Sequence, residues 1–264
     1  MIIPMHHPGF SALELILTFL ASLSAGTIDS IAGGGGLILV PALFALFPNT
    51  APATLFGTNK LAAVSGTAMA AWRYCRHISL DWRVMLPAAL LSWGGSATGA
   101  WVITHVNGND FRKALPFILI AVFIYTLTQK HFGLTRSKYL PLSKEISYAG
   151  FIALAVGFYD GFFGPGTGSF FVFLFVRFLG YDFLMGSAAA KILNTTSNLS
   201  AIFLFAWHQD VWWGLGALMA VANMSGSFIG TRLAVKHGAG FVRKFFILVV
   251  GALILSNLCR SFLV

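Results

Sequence analysis

Four ionisable residues, Asp29, Lys60, Asp160 and Lys191, lie in or near long apolar runs. A charge near the centre of a bilayer costs at least about 2.5 kcal/mol, so it ordinarily faces a cavity and acts there. Each aspartate precedes a glycine-rich stretch. The first is Asp29-Ser30-Ile31-Ala32-Gly33-Gly34-Gly35-Gly36, and the second is Asp160-Gly161-Phe162-Phe163-Gly164-Pro165-Gly166-Thr167-Gly168. Four glycines in a row make a poor helix. They leave backbone N–H groups free beside the positive N-terminus of the next helix, and Pro165 suits a helix start. Such a break can bind an anion without a side-chain charge. Close helix packing is the other use of these glycines.

The lysines sit on unequal helices. Lys191, Asn194, Thr195 and Asn198 follow an i, i+3, i+4, i+7 pattern and form one polar stripe. Their counterparts earlier in the chain are Asn59, Lys60 and Thr67, with Ala63 and Val64 between. A single central site should therefore lean on the second set. The expected anion-binding residues are Lys60, Lys191, Asn59, Asn194, Thr195, Asn198, Gly33, Gly34, Gly35, Gly164, Gly166 and Thr167. Asp29 and Asp160 would balance the lysines in the empty site. Protonating one of them would release a lysine, which couples a proton to the anion. One feature strains this picture: if both helices are straight, Asp29 and Lys60 differ in depth by about 15 Å, and the break must bring them together. The bland alternatives are lysines snorkelling to an interface and aspartates near the surface or capping the next helix.

The positioning elements follow from self-similarity. Shifted by 131 positions, Gly26, Asp29, Gly33 and Gly35 fall on Gly157, Asp160, Gly164 and Gly166. Lys60, His77 and Trp82 fall on Lys191, His208 and Trp213 in the same register, and Arg112 and Lys113 on Arg243 and Lys244. Coincidence of such scarce residue types indicates a duplication. The expected organisation is a transmembrane repeat over 1–131, a basic cytoplasmic linker over 132–144 and a second repeat over 145–264. Apolar runs cover 11–32, 34–49, 52–73, 83–105 and 112–130, then 145–163, 165–180, 183–207, 212–234 and 243–262. Most approach the roughly 20 residues needed to cross a bilayer; the second and seventh are short crossings or pieces of a broken helix. Gly95…Gly99 and Gly226…Gly230 are GxxxG packing patterns. His77 and His208, near Trp82 and Trp213, read as interfacial anchors, with a proton relay as the lesser option.

Composition agrees with a membrane protein. Of 264 residues, 57% are hydrophobic and 9% charged, against roughly 25% charged in soluble domains. The net charge of +9 comes from short basic clusters between apolar runs, which disfavours a nucleic-acid partner. Cys75 and Cys259 have no metal-ligand spacing, so neither a metal nor another cofactor is expected. No HExxH, GxSxG or P-loop pattern occurs, which argues against hydrolytic chemistry and ATP drive. The run from Phe10 to Ala32 lacks a basic n-region and is read as a retained membrane segment, not a signal peptide.

If all ten runs cross, one side receives nearly all the basic loops: Arg73 to Arg83, Lys130 to Lys144, Arg177, and Arg232 to Lys244. The positive-inside rule then makes that side cytoplasmic and both termini external. If the short runs do not cross, the charges split nearly evenly. Five crossings per repeat also makes the repeats inverted, a common transporter construction. The expected fold is thus an all-α integral membrane protein of two homologous, inverted repeats, with 8–10 transmembrane helices, some short or broken.

With these residues in place, the chain resembles the sulfite exporter TauE/SafE family. Gly26–Pro41, Gly57-Thr58-Asn59-Lys60 and the second copy from Gly157 to Gly168, followed by Lys191 and Asn194, carry the resemblance. It implies a multi-pass permease of a bacterial inner membrane for sulfite, thiosulfate, sulfoacetate or related sulfonates. Family members are commonly counted with about eight helices. The resemblance leaves substrate and direction open, and sequence alone does not decide between protons and sodium as the coupling ion. A channel or a membrane-embedded enzyme using the histidines are the alternatives; self-association is also open.

Overall fold

The computed structural model describes residues 9–103, 133–137, 139–208 and 211–262. The described elements are helices: α1 (Ala12–Ala32), α2 (Gly36–Leu46), α3 (Pro52–Cys75), α4 (Trp82–Ile103), α5 (Leu142–Phe162), α6 (Thr167–Leu179), α7 (Phe183–Trp207) and α8 (Trp213–Phe262). The expected run 112–130, with Arg112 and Lys113, lies outside the described residues, as do Lys130 and Lys138. The last two expected runs are one element, α8, broken at Gly238 (φ 73, ψ −171), where glycine adopts a backbone other residues resist.

Local chemistry sets several boundaries. Ser11 and Glu14 form a capping box at the start of α1, satisfying two N–H groups that have no intrahelical partner. Pro52 opens α3, where its missing N–H costs nothing. Asp182 Oδ1 accepts from Met185 N at 2.8 Å and caps α7.

Burial is inverted relative to a soluble fold. Lys191 is 0% and Lys60 4% exposed, whereas Leu90 is 75% and Phe151 74% exposed. Charges inside and large apolar side chains outside suit a lipid surround. Among the described residues, α1 alone is both long and apolar enough throughout to cross a bilayer. At 24, 22, 21 and 25 residues, α3, α4, α5 and α7 have the length but carry polar residues along their inner faces.

The helices of the two chain halves interlock. α1 packs chiefly on α8 and α4 on α5, while α3 and α7 pack on each other and on α8 and α4 respectively. The GxxxG glycines do the packing expected of them: a Cβ on Gly95 or Gly99 would strike the Leu154 or Phe158 carbonyl of α5. Gly226 and Gly230 lie equally close to the Leu23 and Thr27 carbonyls of α1. Helix starts at Gly36, Pro52 and Trp82 recur at Thr167, Phe183 and Trp213, each 131 residues later.

The short helices turn back. Gly35 lies against Ala25 and Asp29, and Phe47, just past α2, stacks edge-on with Phe10 and Trp212. α2 therefore starts beside the later part of α1 and returns to the end where α1 began, which corrects the expected crossing of all ten runs: this short run, like α6, turns back and adds no crossing of its own. With 11 residues, it spans about 16 Å. α6, α-helical to Leu174 and π-helical over Phe175–Leu179, returns likewise to the start of α5. There Tyr181 donates to Glu145 Oε1 at 2.7 Å, Arg136 pairs with Glu145 at 3.1 Å, and Ser137 N donates to the Gly180 carbonyl. Burial, reinforced by Glu145, pushes the Tyr181 phenol up. Leu80, Val84, Phe183 and Phe246 share one core cluster. Phe183 N donates to the Gly133 carbonyl and the Phe183 ring meets Phe246, so the basic segments around Arg136, Lys144 and Arg243 gather at this end of the bundle, away from Phe10, Phe47 and Trp212.

Candidate functional site

The two glycine breaks meet at the middle of the bundle. Gly33 has φ 79, and a Cβ there would overlap the Gly168 carbonyl carbon and Ser169 N. A Cβ on Gly36 would stand 3.4 Å from Pro165 Cα. α2 and α6 therefore start side by side and run toward opposite ends of the bundle. Their N-termini, each equivalent to roughly +0.5 charge, converge on one point.

Each aspartate is fixed by its own break. Asp29 Oδ1 accepts from Gly35 N at 3.2 Å, and Asp160 Oδ1 accepts from Thr167 Oγ1 at 2.8 Å. Each lysine, however, pairs with the aspartate of the other chain half. Lys60 Nζ lies 2.8 Å from Asp160 Oδ1, and Lys191 Nζ lies 2.7 Å from Asp29 Oδ2. The expected approach of Asp29 to Lys60 within one half is thereby corrected. The depth mismatch disappears because the breaks cross, so each aspartate arrives from the opposite direction at the level of the other half's lysine.

A cavity of about 40 Å³ opens at this crossing, lined by Asp29, Gly34, Gly35, Asn59, Lys60, Asp160, Gly164, Gly166, Thr167, Asn194 and Asn198 from the expected set. A water needs roughly 10–15 Å³ by this measure, so a few waters or a small oxyanion would fit. Three expected residues do not line it. Lys191 is fully buried behind Asp29 and Gly168. Gly33 forms the backbone crossing. Thr195 donates back to the Lys191 carbonyl at 2.6 Å, as helical threonines often do.

Among the described residues, the Asn59 carboxamide makes no hydrogen bond, and Asn194 uses only its Oδ1, which accepts from Asn198 Nδ2 at 3.1 Å. Two amide donors are therefore uncommitted at the cavity wall. Outside the expected site set, two polar side chains also line it: Thr67, which donates into its own helix, and Asn223 of α8. Asn223 Nδ2 donates to the Ser22 carbonyl at 3.2 Å. Its signal in the sequence was a lone asparagine in an apolar run; its counterpart 131 residues earlier is Ser92, so the repeat pattern did not mark it.

Two lysines and two aspartates make the pocket neutral before an anion enters. Crossing helix breaks, buried charges and exposed apolar side chains suit a membrane transport protein. The family model for sulfite exporter TauE/SafE matches residues 18–257, and the chain belongs to that family. It is 37% identical over 241 residues to a Sinorhizobium protein named probable membrane transporter protein ORF9, covering 90% of each chain. It is 34% identical over 242 residues to the Escherichia coli K12 probable membrane transporter protein YfcA, covering 90% of this chain and 87% of the relative. A Haemophilus influenzae probable membrane transporter protein is 35% identical over 232 residues, covering 87% and 88%. No solved structure matches the chain.

Proposed function

We propose that this protein is a proton-coupled carrier of a small sulfur-containing oxyanion, working by alternating access between two inverted repeats. The observation that carries the reading is the pair of crossed Lys–Asp contacts at the meeting point of two helix N-termini. The dipoles, the uncommitted amides of Asn59 and Asn194, and Lys191 supply positive potential and donors for oxyanion oxygens. The sulfur-anion class comes from the family.

Charge balance argues for a cation entering with the anion, and the two carboxylates at the crossing make a proton the choice here. A monoanion entering a neutral pocket leaves a net negative charge in a low-dielectric surround, which is costly unless compensated. One proton entering with it restores neutrality.

The arrangement of elements favours two exchanging halves. The 131-residue recurrence of helix starts and the crossed packing of α1 on α8 and α4 on α5 are what an inverted duplication would produce. With the basic end cytoplasmic, both termini face outward from a bacterial inner membrane.

The test is uptake of labelled sulfite, thiosulfate and a small sulfonate into proteoliposomes, with and without an imposed pH gradient. Saturable uptake of one anion that follows the gradient is expected. Uptake that ignores the gradient but requires sodium would replace the proton as coupling ion. Flux whose reversal potential shows no coupling would make the protein a channel.

A further inference from the structure

The two crossed pairs occupy matching positions but are bonded differently. Lys60 Nζ reaches three acceptors: Asp160 Oδ1 at 2.8 Å, the Asp160 carbonyl at 2.9 Å and Asn198 Oδ1 at 3.0 Å. An ammonium has three hydrogens, so Lys60 has none left for a ligand. Lys191 Nζ, among the described residues, reaches one acceptor, Asp29 Oδ2 at 2.7 Å, and two of its hydrogens are uncommitted.

The carboxylates differ in the opposite sense. Both oxygens of Asp29 are used, Oδ1 by Gly35 N and Oδ2 by Lys191. On Asp160, Oδ1 takes Lys60 and shares the single Thr167 hydroxyl hydrogen with the Gly164 carbonyl, 2.6 Å from that hydroxyl, while Oδ2 is buried with no hydrogen-bond partner among the described residues. A buried acceptor without a donor is costly, so Oδ2 is the carboxylate oxygen left open to a proton.

From this inequality we infer that the pairs divide the work: Asp160 takes the coupled proton on Oδ2, and Lys191 takes the anion. The inference rests on the proton-coupled carrier reading and assigns its two ligands to separate pairs. Lys60 tolerates neutralisation of Asp160 because the Asp160 carbonyl and Asn198 still accept from it. Lys191 has no second acceptor among the described residues, so protonating Asp29 would strand it; an anion in the cavity supplies the acceptors it lacks once the wall of Asp29 and Gly168 that now screens Lys191 parts. The groups facing Asp160 are Lys60 from α3, Thr167 from α6 and Asn198 from α7, with Tyr159 adjacent on its own helix. Asp29 and Lys191 complete the charges around the breaks. α4, packed on the other side of α5 at Gly161, presents Ser96 and Ala100 there, neither of them titratable in this range.

Infrared difference spectra of the reconstituted protein on acidification test the proton site without any substrate. A protonated-carboxyl band is expected in the wild type, absent from Asp160→Asn and retained in Asp29→Asn. A band that survives in Asp160→Asn, or disappears only in Asp29→Asn, overturns the assignment. Flux gives the second readout. In Asp160→Asn, transport at whatever rate remains should no longer rise with a pH gradient, while the reduced flux of Asp29→Asn should still rise. The reverse pattern overturns the division. Asp160→Glu, which keeps a carboxyl, should show both band and gradient response; a well-folded Glu variant with neither counts against it. If the wild type moves no sulfur oxyanion yet its acid-induced band still depends on Asp160, the carrier reading fails and the proton site stands.

Discussion

The Lys60–Asp160 and Lys191–Asp29 pairs are built from residues 131 positions apart and meet in the same crossed geometry, yet one is saturated and the other is not. The difference traces to one backbone carbonyl and two side chains: the Asp160 carbonyl accepts from Lys60, whereas the Asp29 carbonyl accepts from Gly33 N. Asn198 reaches Lys60, whereas its counterpart, Thr67, bonds the Ala63 and Val64 carbonyls of its own helix and leaves Lys191 alone. Thr167 donates to Asp160 through a hydroxyl, whereas its counterpart, Gly36, has no side chain to offer Asp29. Matching backbones therefore hold two chemically unequal sites. A neutral, tightly bonded pair suits a fixed scaffold that titrates; a loosely bonded lysine suits ligand exchange.

Removing a lysine should break the comparison most strongly. Lys191→Met is expected to abolish transport while the protein still reaches the membrane. Breaking a buried ion pair from one side costs about 3–5 kcal/mol. Because the Asp29 side chain keeps 15% exposure and the Asp160 side chain only 3%, Lys60→Met should destabilise more than Lys191→Met. Thermal unfolding in detergent ranks them, and labelled-anion uptake reads function. Pairing Lys191→Met with Asp29→Leu should recover most of the stability and none of the transport. Recovery of transport would mean the pair is scaffold only.

The two breaks offer the next contrast. Gly33 and Gly164 both have positive φ, 79 and 89, so alanine at either is strained by roughly 1–3 kcal/mol. At Gly33 the added methyl also overlaps the Gly168 and Ser169 backbone, which cannot move without parting α2 from α6. At Gly164 it meets the Asp160 carbonyl and Lys60 Nζ at 3.4 Å. Gly33→Ala should therefore lower the melting temperature well beyond Gly164→Ala. Equal losses would mean that the crossing is not a tight packing point.

Much of this was legible beforehand. The scarce Asp and Lys residues, the glycine runs and the polar stripe on α7 named most of the cavity wall, because charge and glycine are costly in a membrane helix and stand out against an apolar background. The partners within the pairs were not legible. Pairing depends on how α2 and α6 fold back, and a one-dimensional depth estimate along straight helices cannot express that. Thr195 was assigned to the site from its helical phase, but phase does not reveal that its hydroxyl bonds its own backbone. Asn223 was overlooked because its residue type is not repeated 131 positions earlier.

The smallest effects test the source of the inequality. Asn198→Thr gives Lys60 the same neighbour that Lys191 has at the matching position. The variant loses the Lys60 bond, about 1.5–3 kcal/mol for a bond to a charged group and near the lower end because Lys60 keeps two acceptors, and also the bond from Asn198 Nδ2 to Asn194 Oδ1, about 1 kcal/mol. Thr195→Val, one turn away on the same helix, removes only a bond from Thr195 to the Lys191 carbonyl and should change stability by less than about 1 kcal/mol. Uptake should follow the same order: lowered in Asn198→Thr, near wild type in Thr195→Val. If instead Thr195→Val lowers uptake and Asn198→Thr does not, the anion contacts a face of α7 turned away from Lys60, and saturation of Lys60 no longer explains why the two pairs differ.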